Sequence, residues 1–180
     1  MSLGSDDLVK LWKLYPEEDL REGVSHCIKE FSSEGRTPTT CTWINKFDFA
    51  VGYSTSSKLA VYDANTGKLK QTVNGMLGSF SEHQQPNKII YNSTYSLLIT
   101  GNEDKEIKFF DLRTSSYTDG ITGHSDAVSA LDSNGNNLYS GCHEGSLRLW
   151  DLRKRECLFD VIAHRRKLDV GVTSVASRGK

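Results

Sequence analysis

His124, Ser140 and Glu144 are a histidine, a serine and an acid, the side-chain types of a hydrolytic triad. Cys142-His143-Glu144 sets a thiol, an imidazole and a carboxylate side by side, the types that bind zinc. A triad needs nucleophile, base and orienting acid within hydrogen-bond reach and open to substrate. A zinc site needs three or four ligands converging on one point. Neighbouring residues of a strand point to opposite faces, so Cys142 and His143 do not converge. No nucleophile elbow, phosphate-binding glycine loop or Cys-x-x-Cys spacing accompanies either group. No catalytic residue, metal ligand or cofactor is therefore assigned.

A third set is basic: Arg148, Arg153, Lys154, Arg155, Arg165, Arg166 and Lys167. Such a cluster could neutralise the phosphates of a nucleic acid or receive an acidic or phosphorylated protein segment. Asp151, Glu156 and Asp160 interleave with it, and no aromatic stacking platform is evident, which argues for a solvated face. Arg153, Lys154, Arg155, Arg165, Arg166 and Lys167 remain the candidates for contact with a partner, nucleic acid or phosphopeptide being the alternative reading.

These residues need elements to hold them. Between Gly123-His124 and Trp150-Asp151, Ala127, Val128, Ala130 and Leu131 form one apolar run and residues 138–141 a second. Leu147 and Leu149 then alternate with Ser146 and Arg148, as in a half-buried strand. Asn134-Gly135 separates the first two runs. Asn-Gly takes two positive φ angles readily, so it predicts a tight hairpin there. Glycine-histidine near the start and tryptophan-aspartate at the end of a unit of about 40 residues mark a WD repeat, one four-stranded blade of a β-propeller. Resemblance to that repeat implies that His124, Ser140, an acid in the second turn (here Glu144) and Trp150 form a structural hydrogen-bonded tetrad inside the blade. The tetrad would bury the three triad-like residues away from substrate.

The same grammar runs through the rest of the chain. Leu8, Leu11, Trp12 and Tyr15 fit a helical spacing, but residues 6–12 match residues 144–150 in register, with Asp6 at the turn acid and Trp12 at the tryptophan. They are read as a third strand, and residues 24–31 as a fourth. Four runs at 39–44, 49–53, 58–62 and 69–73 give a degenerate blade with Tyr62-Asp63 for Trp-Asp. Runs at 88–91, 97–100, 107–110 and 117–121 give another, with Asp104 and Phe110-Asp111 at the signature places. Asp111 and Asp151 stand one period apart, and Ala163-His164 opens a new unit. The expected division is 1–31 (end of a first blade), 32–73, 86–122 and 123–162 (blades), 163–176 (first strand of a further blade) and 177–180 (tail). The fold class is all-β: a propeller of about four blades, a partial ring.

The 180 residues carry 22 Lys and Arg against 23 Asp and Glu. A net charge of -1 supplies no global field toward nucleic acid or membrane. No apolar run has the length of a membrane span, and residues 1–10 carry acids where a secretory signal has bases. A cytosolic location is expected, with Cys27, Cys41, Cys142 and Cys157 as reduced thiols. Asn92-Ser93-Thr94 reads as a polar turn.

Four stretches go beyond a generic repeat: Glu103-Asp104-Lys105-Glu106-Ile107-Lys108-Phe109-Phe110-Asp111, His124-Ser125-Asp126-Ala127-Val128, Ser146-Leu147-Arg148-Leu149-Trp150, and Ala163-His164-Arg165-Arg166-Lys167-Leu168-Asp169. In these the chain resembles the C-terminal propeller of the striatin family, regulatory and scaffolding subunits of protein phosphatase 2A. The likeness spans nearly the whole chain, is weakest over 15–73 and is lost in 177–180. It implies a non-catalytic scaffold whose partners are phosphatase, kinase and adaptor subunits. The family's ring has seven blades, and its coiled-coil and calmodulin-binding segments have no counterpart here. A fragment is expected, or a reduced ring whose ends join in one hybrid blade. Open sheet edges would otherwise lead to self-association.

Overall fold

Alternation of apolar and polar residues, broken by Gly, Asn, Asp and Ser turns, builds fifteen strands among the described residues. The computed structural model describes residues 1–4, 6–13, 26–32, 36–54, 56–73, 85–163 and 171–178. The strands are β1 (Ser2–Leu3), β2 (Leu8–Lys13) and β3 (His26–Ser32), then β4 (Pro38–Trp43), β5 (Asp48–Tyr53), β6 (Ser56–Asp63) and β7 (Leu69–Val73). They continue with β8 (Pro86–Asn92), β9 (Leu97–Asn102), β10 (Ile107–Asp111) and β11 (Ser116–Ile121), and end with β12 (Val128–Asn134), β13 (Asn137–Cys142), β14 (Ser146–Asp151) and β15 (Glu156–Ile162). Each group is one antiparallel meander, three-stranded for β1–β3 and four-stranded for the others. These are the blades, numbered one to four in chain order. The segment with helical spacing near the N-terminus is strand β2.

Successive blades stack face to face, and among the described residues three apolar cores lie between them. Val9, Leu11 and Phe31 of the first blade meet Phe49, Val51 and Tyr53 of the second. Ala50, Leu59 and Val61 leave the other face of the second blade for Ile89, Leu98 and Phe110 of the third. Ile99, Ile107 and Phe109 continue from the third to Leu138 and Trp150 of the fourth. Phe49 and Ala50 are sequence neighbours in different cores because side chains alternate across a strand. Each fully buried side chain of this size contributes roughly 1.5–3 kcal/mol.

One distortion recurs in every blade. The ladder to the outermost strand shifts by a residue at Leu11/Trp12, Val61/Tyr62, Phe109/Phe110 and Leu149/Trp150. The bulge always falls before the aromatic residue of the WD position, where it increases twist and turns the outer strand along its neighbour.

Two expectations are corrected. The β12–β13 hairpin pairs Asn134 with Asn137, so its two loop residues are Gly135 and Asn136. Gly135 has φ 58° and Asn136 is not in the left-handed region, so glycine serves at the first loop position and the Asn-Gly pair does not supply two positive φ angles. Residues 171–178 are in no strand. A blade's first strand takes its ladder from the second strand of the same blade, and among the described residues none pairs with this segment. It runs beside β12 and the end of β13: Ser129 Oγ donates to the Val172 carbonyl, Asp132 accepts from the Ser177 N–H, and the Val172 N–H bonds the Cys142 carbonyl at 3.0 Å. His164, Arg165, Arg166 and Lys167 lie outside the described residues.

Candidate interaction surface

The triad-like residues lie inside the fourth blade. Strands β13 and β14 place Ser140 and Trp150 on the face turned toward the third blade, and residues 122–127 carry His124 across them. His124 Nε2 meets Ser140 Oγ at 2.6 Å, and the Trp150 indole donates to the same oxygen at 2.7 Å. The imidazole sits edge-on to the indole, centroids 6.0 Å apart. His124 Nδ1 meets Ser146 Oγ at 3.2 Å, and Ser146 also faces Cys142 Sγ at 3.1 Å. The Glu144 carboxylate accepts from the Ser125 hydroxyl. Ser146 thus takes the histidine contact that the sequence reading gave to Glu144. The reason is strand alternation, which places Ser146, Arg148 and Trp150 on one face of β14 while Glu144 stands in the preceding turn. Burial, reinforced by the Arg148 charge, lowers the His124 pKa to about 4, so the ring is neutral at pH 7. Ser140 is wholly buried and has both its partners in the blade.

The WD-position aspartates do a different task. Asp63, Asp111 and Asp151 each fold the turn after the third strand by accepting the backbone N–H two residues on, at 2.8, 2.7 and 2.8 Å. Four residues after each comes a left-handed residue: Gly67, Ser115 and Arg155. The backbone N–H of Thr66 holds the Asp63 carboxyl below its usual range, as the Arg113 side chain does for Asp111 and the backbone N–H of Arg153 for Asp151. The turn acids Asp6 and Asp104 accept the backbone N–H groups of Leu8 and Glu106, and Asp104 is paired with Lys108. Trp12 donates to Ser2 Oγ at 2.8 Å.

These turns separate the basic cluster into two kinds of residue. Arg155 reaches between blades: its guanidinium lies 3.6 Å from the centroid of the buried Phe109 ring and bonds Asp119 at 3.1 Å. Arg148 is likewise internal, paired with Asp160 at 2.9 Å. Arg153 and Lys154 project from the turn into solvent. Arg113 stands at the same place in the third blade, with a side chain 73% exposed. The sequence reading missed Arg113, although the repeated Asp-Leu-Arg at 111–113 and 151–153 marks the two as equivalent. Among the described residues, no group of three or more His, Cys, Asp or Glu is placed to hold a metal. No helix there is long and apolar enough to cross a membrane.

Residues 114–151 match the family described as WD domain, G-beta repeat. Striatin-3 of Bos taurus is 32% identical over 181 residues, covering 98% of this chain. Striatin-4 of Mus musculus is 31% identical over 97% of it. The chain is a striatin-family WD-repeat region. It spans 22% of the length of that striatin-3 and 23% of that striatin-4. The crystal structure of the computationally designed Ika4 protein superposes with a TM-score of 0.66 at 20% identity, covering 83% of this chain and 84% of that one. At that identity the likeness concerns fold alone, which is a partial WD propeller.

Proposed function

We propose that this striatin-like chain is a cytoplasmic, non-catalytic scaffold for protein–protein interaction, organising protein phosphatase 2A with kinase and adaptor subunits. The identity to striatins over nearly its whole length carries the reading. The interior geometry supports it: His124, Ser140 and Trp150 spend their polar atoms on one another and on Ser146, and the imidazole is buried. Recognition then falls to the turns, which a rigid stack of blades displays without reorganisation. Arg113, Arg153 and Lys154 are the described side chains best placed for an acidic partner surface, and Arg165, Arg166 and Lys167 belong to the same proposal. The test is surface-based binding of the purified chain to the reconstituted phosphatase 2A core, and separately to kinase and adaptor subunits. Saturable binding that weakens at least about tenfold in the Arg113→Glu, Arg153→Glu variant is expected, with a marked fall as salt rises. Absence of binding to all three classes would overturn the reading, as would hydrolytic turnover lost in Ser140→Ala.

A further inference from the structure

The net charge of -1 hides a separation of charge between the two ends of the stack. Within each of blades two to four the last turn bonds the first: the amides of Ala64, Leu112 and Leu152 donate to the carbonyls of Phe47, Ser96 and Asn136 at 2.7, 3.4 and 2.8 Å. Across the seams, Gln71 Nε2 donates to the Leu112 carbonyl at 2.8 Å and the Tyr95 hydroxyl to Asn136 at 2.6 Å. These turns therefore share one end. They carry Lys46, Lys68, Arg113, Arg153 and Lys154, with Arg155 turned inward, and no acid stands among residues 44–47, 64–68, 93–96, 112–115, 135–136 and 152–155. The aspartates at the strand ends spend their carboxylates on the turn amides. The opposite turns are acidic, with Asp6, Asp7, Glu103, Asp104, Glu106 and Glu144 against Lys105.

One turn at the basic end presents an aromatic ring. Asn45 Oδ1 accepts the N–H groups of Phe47 and Asp48 at 2.7 and 2.9 Å, and Asn45 Nδ2 donates to Asp48 Oδ2 at 2.9 Å. Lys70 holds the other Asp48 oxygen at 2.8 Å. The turn is thus braced, yet Phe47 at its tip is 49% exposed, with Lys46 Nζ 5.5 Å from the ring centroid. Successive amides at the end of β6, those of Asp63 and Ala64, bond the carbonyls of Lys68 and Phe47, which sets Lys68 on the same corner. The corresponding turn of the third blade puts its aromatic residue to structural use, since the Tyr95 hydroxyl ties it to the fourth. Phe47 has no polar side-chain atom and can make no such tie. A braced turn loses little freedom on binding, and an aromatic ring with two torsions is a large anchor that costs little to order.

We propose that the basic end of the stack is its docking end, with Phe47 as the apolar anchor, and that the occupant is a folded partner protein whose surface offers an apolar pocket rimmed by carboxylates. The pocket takes the Phe47 ring, and the carboxylates meet Lys46 and Lys68. Charge decides between a protein and a polyanion. Arg113 and Arg153 lean on their own aspartates at 2.7 and 3.4 Å, which offsets their charge toward a membrane surface or a nucleic acid but leaves outer N–H groups for single carboxylates. The acidic far end repels the same partner surface, so the charge separation orients the encounter.

This role for Phe47 rests on the scaffold reading, and the test separates the two. Binding of the purified chain to the phosphatase 2A core, and to kinase and adaptor subunits, is compared between wild type and variants. Phe47→Ser, and Lys46→Glu with Lys68→Glu, should each weaken it at least about tenfold, and Phe47→Leu should recover most of the loss. Glu106→Lys, at the acidic end, should change it less than about twofold. Thermal midpoints should match the wild type, because Asn45 and Asp48 brace the turn. Undiminished binding in both Phe47→Ser and the double variant would overturn the docking end and leave the scaffold reading standing, whereas no binding by the wild type overturns both. Capture by vesicles of phosphatidylcholine with roughly one-third phosphatidylserine, or by single-stranded RNA, lost in the same variants, would assign this end to a polyanion and overturn the proposal.

Discussion

Trp12 and Trp150 hold the same place in their blades, each donating its indole N–H to a serine two strands' width of sequence away, at 2.8 and 2.7 Å. One is 40% exposed and the other 3%. The local bond is therefore the same, and what differs is the cover that the third blade and His124 give Trp150. Trp150→Phe should cost roughly 2–3 kcal/mol in urea unfolding, from lost burial and an unmet hydrogen bond. Trp12→Phe should cost less than about 1 kcal/mol, because its ring already faces solvent. Equal costs would show that the first blade is covered in solution as the fourth is.

Acid should destabilise the fold through His124. Its folded pKa of about 4 lies below the 6.5 of an unperturbed histidine, so between these values the unfolded chain binds the extra proton. Stability is then full above the unfolded value and falls as pH drops toward the folded one. The loss between pH 7 and pH 5 should be on the order of 2 kcal/mol. His124→Gln should flatten that slope in unfolding curves taken at the two pH values. A wild-type slope retained in the variant would place the titration elsewhere.

Two glycines should respond to alanine for different reasons. At Gly101 a methyl would press on Val128 Cγ1 and stand 3.1 Å from the Val128 carbonyl oxygen, closing the seam between blades three and four. A cost of about 1–3 kcal/mol is expected there. At Gly135 a Cβ meets nothing within 4 Å, and only the φ of 58° resists it. About 1 kcal/mol is expected from that strain. Denaturant midpoints of the two variants separate packing from backbone conformation.

The basic turn should divide by salt and stability. Arg155→Ala removes the cation above Phe109 and its pairing to Asp119, and should lower stability by about 1 kcal/mol. Arg153→Ala and Lys154→Ala should change stability by less than about 0.5 kcal/mol. If the proposed surface is right, the same two substitutions weaken partner binding while leaving the thermal midpoint unchanged.

The sequence by itself determined most of the strands and their order. Alternation, Gly and Asn turns and the forty-residue period are local properties, and they place Trp12, Asp63, Asp111 and Asp151 at equivalent points without any knowledge of packing. Three things were decided only by the tertiary structure. His124 took Ser146 because a strand face, with side chains at fixed spacing, brings that hydroxyl to Nδ1 while the turn carries Glu144 to Ser125. Arg155 left the solvent-facing cluster because its left-handed backbone directs it onto Phe109 of another blade. The third is the cover of the outward faces of the fourth and first blades, where Leu149 is only half-buried and Trp12 is exposed although their counterparts Phe109 and Trp150 are buried. Burial is a property of what packs against a face, and a residue's own strand does not encode which blade, if any, will be its neighbour.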